Sequence, residues 1–261
     1  MDIVVCIKQV PAASNVEVDE KTGVLKREGI ETKMNPYDLY ALECALRIAK
    51  EHGGTVSVIS MGPLQARSVI REAYMMGADT GYLLSDTAFA GSDVLATSFA
   101  LSQGIRAIGG VSLIVCGKQT TDGDTAQVGP AIAEYLSIPH AAWVTQIVSV
   151  DETGIEVRQT LADRIQTARL GFPCLITVEK DIAQPRLPSY LKKKETSGRL
   201  VQVLTLQDLP DRDASKYGLE GSPTQVEKVF PPGSNIHREV WRGDKELADR
   251  LYGLLKEKKH L

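Results

Sequence analysis

Short runs rich in valine and isoleucine alternate with longer helical patterns through the first 140 residues, and this alternation constrains the fold more than any other feature. Asp2–Val10, Thr55–Met61, Thr80–Leu84 and Val111–Gly117 read as strands bounded by glycine or proline. Between them, Pro36–Lys50 carries Leu39, Leu42, Ala45, Leu46 and Ala49 on one helical face, with Asn35 as cap and Pro36 in the first turn. Leu64–Met76, Asp93–Ile108 and Asp124–Leu136 follow glycine-bearing breaks and read as further helices. Parallel strands need crossover connections, so the chain is expected to form an α/β domain with a doubly wound, mostly parallel sheet. Ligands of such sheets bind at the loops beyond the carboxyl ends of the strands.

After residue 140 the pattern tightens. Ala142–Val150, Gly154–Thr160, Ile165–Leu170 and Cys174–Glu179 read as short strands and predict an antiparallel addition, completing a domain over 1–184. Residues 185–200, with Lys192, Lys193 and Lys194, form a separate segment, and 201–261 lead through the aperiodic stretch Leu209–Pro232 to a last helix. Such a stretch is a linker or an arm lying on something else. The helix Asp244–Lys259 gathers Leu247, Leu251, Leu254 and Leu255 into one stripe, which needs a surface of its own or a partner's to cover.

A net charge of −3 leaves no positive excess to hold a nucleic-acid backbone or an anionic membrane. The opening run MDIVVCIKQVP is too short for a signal-peptide core, and no later run reaches bilayer length, so a cytoplasmic location is expected. Cys6, Cys44, Cys116 and Cys174 form no CxxC pair and read as buried reduced thiols. The histidines have no neighbours at metal-ligand spacing, and no metal site is expected.

The most informative run is Gly117-Lys-Gln-Thr-Thr-Asp-Gly-Asp-Thr-Ala-Gln-Val-Gly-Pro130, which joins a strand to a helix. Amides at a helix N-terminus can hold a phosphate, with Gly123 allowing close approach and Thr125 adding a hydroxyl. The same residues also suit an ordinary capped helix, with Asp122 and Asp124 as cap and dipole partner. The run is neither a Walker loop nor GxGxxG, so spacing names no cofactor.

Cys6-Ile-Lys-Gln-Val-Pro11, Met34-Asn-Pro-Tyr-Asp38, Ser60-Met-Gly-Pro63, Gly77-Ala-Asp79 and Cys116–Pro130 together resemble the electron transfer flavoprotein beta subunit, in order and over nearly the whole chain. The resemblance implies a Rossmann-like, adenine-nucleotide-binding domain with an extended C-terminal arm. It also implies AMP or FAD contacts at Cys6, Asn35, Pro36, Tyr37, Asp38 and Met61. Further along it implies contacts at Gly117, Lys118, Gln119, Thr120, Asp122, Gly123, Asp124, Thr125, Ala126, Gln127, Val128 and Gly129. From the residues alone, Cys6 reads equally as a strand thiol, Asn35 as a plain cap and Met61 as core.

Asp124–Gly129 and Gly221-Ser-Pro-Thr-Gln-Val226 resemble the bifurcating branch of that family. There FAD replaces AMP, takes a hydride from NADH, and sends one electron to ferredoxin and the other to the alpha subunit's FAD. The Phe89-Ala-Gly-Ser-Asp93 turn offers Gly91 and Ser92 to a dinucleotide phosphate, that of NAD(H), or is simply a capped helix start. By resemblance, the arm wraps the alpha subunit and brings Ser222, Thr224 and Gln225 to its FAD; a surface linker is the other reading. Pro185–Ser189 and the lysines match a loop that docks an acyl-CoA, enoyl-CoA or 2-hydroxy-acid dehydrogenase, implicating Arg186, Leu187 and Leu191. Arg158–Gln166 lacks the acidic, glycine-rich run usual in the family. Two alternatives stand beside the bifurcating subunit: a non-bifurcating subunit with structural AMP, and an adenine-nucleotide-binding regulatory protein. No residue reads as a catalytic acid, base or nucleophile.

Overall fold

The computed structural model describes residues 1–12, 31–226, 239–242 and 246–259. The opening apolar run divides. Asp2–Cys6 forms β1, whereas Gln9–Pro11 (β2) leaves the main sheet and pairs antiparallel with Thr32–Met34 (β3). Helix α1 (Pro36–His52) then leads to β4 (Thr55–Met61), α2 (Arg67–Met76), β5 (Thr80–Leu84), α3 (Val94–Ile108) and β6 (Leu113–Gly117). Next come α4 (Val128–Leu136), β7 (His140–Val150), β8 (Gly154–Thr160), β9 (Ile165–Gly171), β10 (Cys174–Val178), α5 (Tyr190–Glu195), β11 (Gln202–Leu204) and α6 (Leu247–Glu257).

Among the described residues, nine strands form one sheet in the order β11-β5-β4-β1-β6-β10-β7-β8-β9. All neighbours from β11 to β7 are parallel, and only β7-β8 and β8-β9 are antiparallel. The doubly wound sheet and its antiparallel addition are therefore present, but β10 sits inside the parallel part rather than in the addition. The sheet also runs on into β11, so residues beyond 184 belong to its edge.

Central strands alternate between two buried faces, as parallel strands covered on both sides must. In β1, Ile3 and Val5 pack with α1 and α2, while Val4 and Cys6 pack with α3 and α4. The segment after β11 joins the second core: Leu206, Leu209 and Tyr217 are buried, and the Tyr217 ring lies 5.4 Å from Phe89 and 5.1 Å from Phe99. The stretch from Leu209 to Tyr217 is thus part of the domain, and the Leu209–Pro232 region extends past it outside the described residues from 227. In α6 no residue is buried, and Leu251 and Leu254 stay exposed.

Chain order places the crevice. From β1 the chain steps outward to β4 and β5, then α3 carries it back to β6 on the other side of β1. The loops after β1 and β6 therefore diverge, and the space between them is where a doubly wound sheet takes a ligand.

Candidate functional site at the strand order reversal

A cavity of about 500 Å³ opens at that reversal. It is lined by Cys6, Asp38, Met61, Ser92, Gly117, Lys118, Gln119, Thr120, Gly123, Thr125, Ala126, Gln127, Val128, Gly129 and Thr224, all expected from the sequence. Asn35, Pro36, Tyr37, Gly91, Asp122, Asp124, Ser222 and Gln225 are not in its lining. Ile7, Lys8, Asp93, Val94, Thr97, Leu101, Cys116 and Val226 line it without having been expected. A signal for some of these existed: Val94, Thr97 and Leu101 follow one another at helical spacing directly after the Gly91-Ser92 turn.

The expected helix start at Asp124 is corrected: α4 begins at Val128. Asp124 and Ala126 both adopt left-handed backbone, with φ of 51° and 55°, which a helix cannot continue through. A left-handed alanine costs about 1 kcal/mol. The turn it makes brings Thr125, Ala126 and Gln127 into the cavity wall ahead of the first-turn amides of α4. Those amides have no acceptor within their own helix and carry the positive end of its dipole. Two glycines let this wall close. A Cβ on Gly129 would collide with Thr177 Cγ2, and one on Gly117 would come within 2.8 Å of the Tyr37 backbone.

Asn35 occupies the cap position of α1 but makes no side-chain cap bond. Fully buried, it donates to Asp38 Oδ1 (2.9 Å) and to the Gln119 carbonyl (2.9 Å), and accepts from the Thr121 amide (3.2 Å). It thus ties the start of α1 to the loop after β6. Outside that knot, Lys8 Nζ bridges to both carboxylate oxygens of Asp122 at 2.8 and 2.7 Å. Gln119 Nε2 donates to Asp124 Oδ1. Lys118 Nζ pairs with Glu179 at 2.7 Å and lies 4.9 Å from the Trp143 ring centroid. These contacts explain how Asp122 and Asp124 serve the loop from outside the cavity.

Asp38 is the charged group most altered by the fold. Burial pushes its carboxyl up to about 7, against the opposing bonds from Asn35, the Lys8 amide and the Gly117 amide and the charge of Lys8. Because the folded value lies above the unfolded one, the proton is held more tightly in the folded state. Its stabilising contribution is full below about pH 4 and is lost as pH rises toward 7. Urea midpoints across this range are expected to fall for the wild type and to flatten in Asp38→Asn; equal slopes would contradict this account. Next to it, the hydrogen bond that the Cys116 thiol donates to Cys6, then burial, push that thiol up, so it remains neutral.

On the α3 side, Asp93 Oδ1 accepts from the Leu95 and Ala96 amides at 2.9 and 3.1 Å, capping the helix. Its other oxygen accepts from the Thr224 amide and hydroxyl at 3.1 and 2.7 Å. Burial would raise the Asp93 carboxyl, but the Thr224 and helix amide bonds together hold it below its ordinary value. Ser222 is itself buried, donating to the Gly218 carbonyl at 2.6 Å and accepting from the Asp93 amide at 2.9 Å.

The residues expected to dock a partner divide in two. Arg186 turns inward onto buried Glu43, which accepts from its Nε (2.7 Å), Nη2 (3.1 Å) and amide (3.2 Å). Leu187 and Leu191 point to solvent, 87% and 66% exposed, with Tyr190 between them at 70%. A second cavity of about 440 Å³, between α1 and β7, lies away from the strand reversal; Cys44 lines it, but none of the expected cofactor or partner residues does. Among the described residues no group of three or more His, Cys, Asp or Glu is placed to hold a metal ion. No helix among them is long and apolar enough to cross a membrane.

A parallel sheet with its crevice at the strand reversal, a glycine-bearing loop and a helix N-terminus beside that crevice define an α/β protein of the doubly wound class. Residues 22–208 match the electron transfer flavoprotein domain, and the chain belongs to that family. The electron transfer flavoprotein subunit beta of Thermoanaerobacterium thermosaccharolyticum is 43% identical over 258 residues, covering 96% of each chain. The caffeyl-CoA reductase-Etf complex subunit CarD of Acetobacterium woodii is 41% identical over 263 residues, 99% of each. Protein FixA of Azorhizobium caulinodans is 41% identical over 244 residues, 91% of this chain and 87% of that protein. As a beta-type member of the family, the chain is the partner of an alpha subunit.

Proposed function

We propose that this chain is a cytoplasmic beta subunit of the bifurcating type, with FAD in the cavity at the strand reversal. The observation that carries the reading is the wall formed by the loop after β6 and the N-terminus of α4, which presents backbone amides and small side chains to a ligand. Bound there, FAD would supply hydride acceptance from NADH and one-electron transfer, to ferredoxin and, through the alpha subunit's FAD, to a partner dehydrogenase or reductase.

The chain's own part is to bind and orient. The α4 amides, with Gly123 and Thr125, face the phosphates; Asp38 and Cys116 keep the inner end of the cavity polar but without a thiolate. The turn at Gly91 and Ser92 offers a second phosphate contact, suited to NADH. Exposed Leu187 and Leu191 dock the enzyme that exchanges electrons, of the acyl-CoA, enoyl-CoA or 2-hydroxy-acid class, while Arg186 fastens their loop to α1. That one relative is named as part of a caffeyl-CoA reductase complex supports a reductase partner.

Co-expression with the alpha subunit, followed by denaturation and counting of released nucleotides, tests the reading. Two FAD per heterodimer is the expected result. One FAD and one AMP would instead establish the non-bifurcating carrier, and a complex releasing neither from this chain would overturn the cavity assignment.

A further inference from the structure

The wall of the cavity opposite the β6 loop comes from the far end of the chain. After β11 the backbone is anchored in the core by Tyr217, 1% exposed, and passes so close to the turn before α3 that a Cβ on Gly218 would strike the Ala88 carbonyl. Gly218 itself has φ of 56°, open to glycine without strain. From there Ser222 is fixed by the Gly218 carbonyl and the Asp93 amide. Beyond Ser222 the core no longer holds the chain: Thr224 is exposed and Val226 is 83% exposed, yet both line the cavity with Ser92, Asp93 and Thr97. The contact that keeps them there is the Asp93 carboxylate, gripping the Thr224 amide and hydroxyl while its other oxygen caps α3.

We infer that Asp93 is a positioning residue for the nucleotide cavity, sharing its carboxylate between α3 and Thr224 so that residues 222–226 stand as a wall that slows nucleotide release. Asp93 suits this double task because an aspartate cap needs only one oxygen for the helix amides and leaves the other for a second donor pair. The wall residues are the same ones expected by resemblance to meet the partner's flavin. Their attachment to the lip of this chain's own cavity therefore couples what binds in the cavity to the direction in which the C-terminal segment leaves the domain. This inference rests on the reading that the cavity holds an adenine nucleotide.

Thr224→Val removes the hydroxyl bond and keeps the bulk, without touching the cap. Thr224→Ser keeps the donor. The dissociation of FAD, followed by its own fluorescence, and of a fluorescent AMP analogue would be measured on the full chain. Thr224→Val is expected to release the bound nucleotide about tenfold faster, the value of one charge-assisted hydrogen bond, with Thr224→Ser near the wild type and an unchanged melting temperature. Asp93→Asn, still a good helix cap, is expected to quicken release as well, and the double variant to show less than the sum of the two effects. Hydrogen exchange at the amides of Ser222, Thr224, Gln225 and Val226 is expected to slow when nucleotide binds. Wild-type release from Thr224→Val, or equal acceleration by Thr224→Ser, would overturn the inference while leaving the cavity assignment intact. A wild-type chain that binds neither nucleotide would overturn both.

Discussion

Asn35→Ala is expected to destabilise the domain by about 3 kcal/mol and to abolish measurable nucleotide binding. The side chain is fully buried and makes three hydrogen bonds, to Asp38, to the Gln119 carbonyl and from the Thr121 amide. Truncation leaves the carbonyl and the amide without their buried partner and takes from Asp38 one of the bonds that oppose its burial. Because Asn35 makes no cap bond, loss of helix capping contributes nothing to this cost. Urea unfolding and nucleotide titration of the same sample check it. A variant as stable as the wild type would mean that the loop after β6 holds its shape without the knot. Asn35→Asp makes a sharper control: it preserves the shape but sets a second carboxylate against Asp38, so its damage should grow as pH rises.

Gly129→Val should be comparably severe, costing about 3 kcal/mol and displacing the helix that faces the ligand. A side chain at this position meets Thr177 Cγ2 in β10 at an impossible distance, with Cys116 Cβ next at 3.5 Å. Relief requires α4 to lift from the sheet, and with it the first-turn amides that form the cavity wall. Gly123→Ala is the natural comparison, since its nearest neighbour, Thr120 Oγ1, stands at 3.4 Å and the chain there is open. Thermal melting and nucleotide affinity should both fall for Gly129→Val, whereas the melting temperature should hardly change for Gly123→Ala. If the two variants melted alike, close packing of α4 on β10 would not be what shapes the site.

Local pattern carried the elements well where each residue's role is decided by its neighbours in sequence. Thr55–Met61, Thr80–Leu84 and Gly154–Thr160 are strands over the expected ranges, and α1 begins at Pro36 as its proline requires. The pattern misled where distant contacts override it. Asp2–Val10 is one apolar run, yet it splits because the Lys8 amide turns to Asp38, 30 residues on. The Asp122–Gln127 run has the composition of a helix start but is held in left-handed turns within a loop tied by Asn35 and Lys8. Cys174–Val178 follows a run of antiparallel strands and still pairs parallel with β6, since the space beside β6 was left vacant by the reversal.

By itself, then, sequence pattern determined the class of fold and the position of the crevice, because periodicity and strand–helix order are short-range properties, whereas most of the residues that line it were implied only by the family resemblance. Tertiary structure alone decided how those residues are used. Asn35 serves the loop around Thr121 rather than its own helix, Arg186 pairs with Glu43, and Thr224 serves Asp93. These pairs lie 86, 143 and 131 residues apart. A hydrogen bond between such positions depends on where the sheet brings two side chains together, and nothing in either neighbourhood of the chain encodes that meeting.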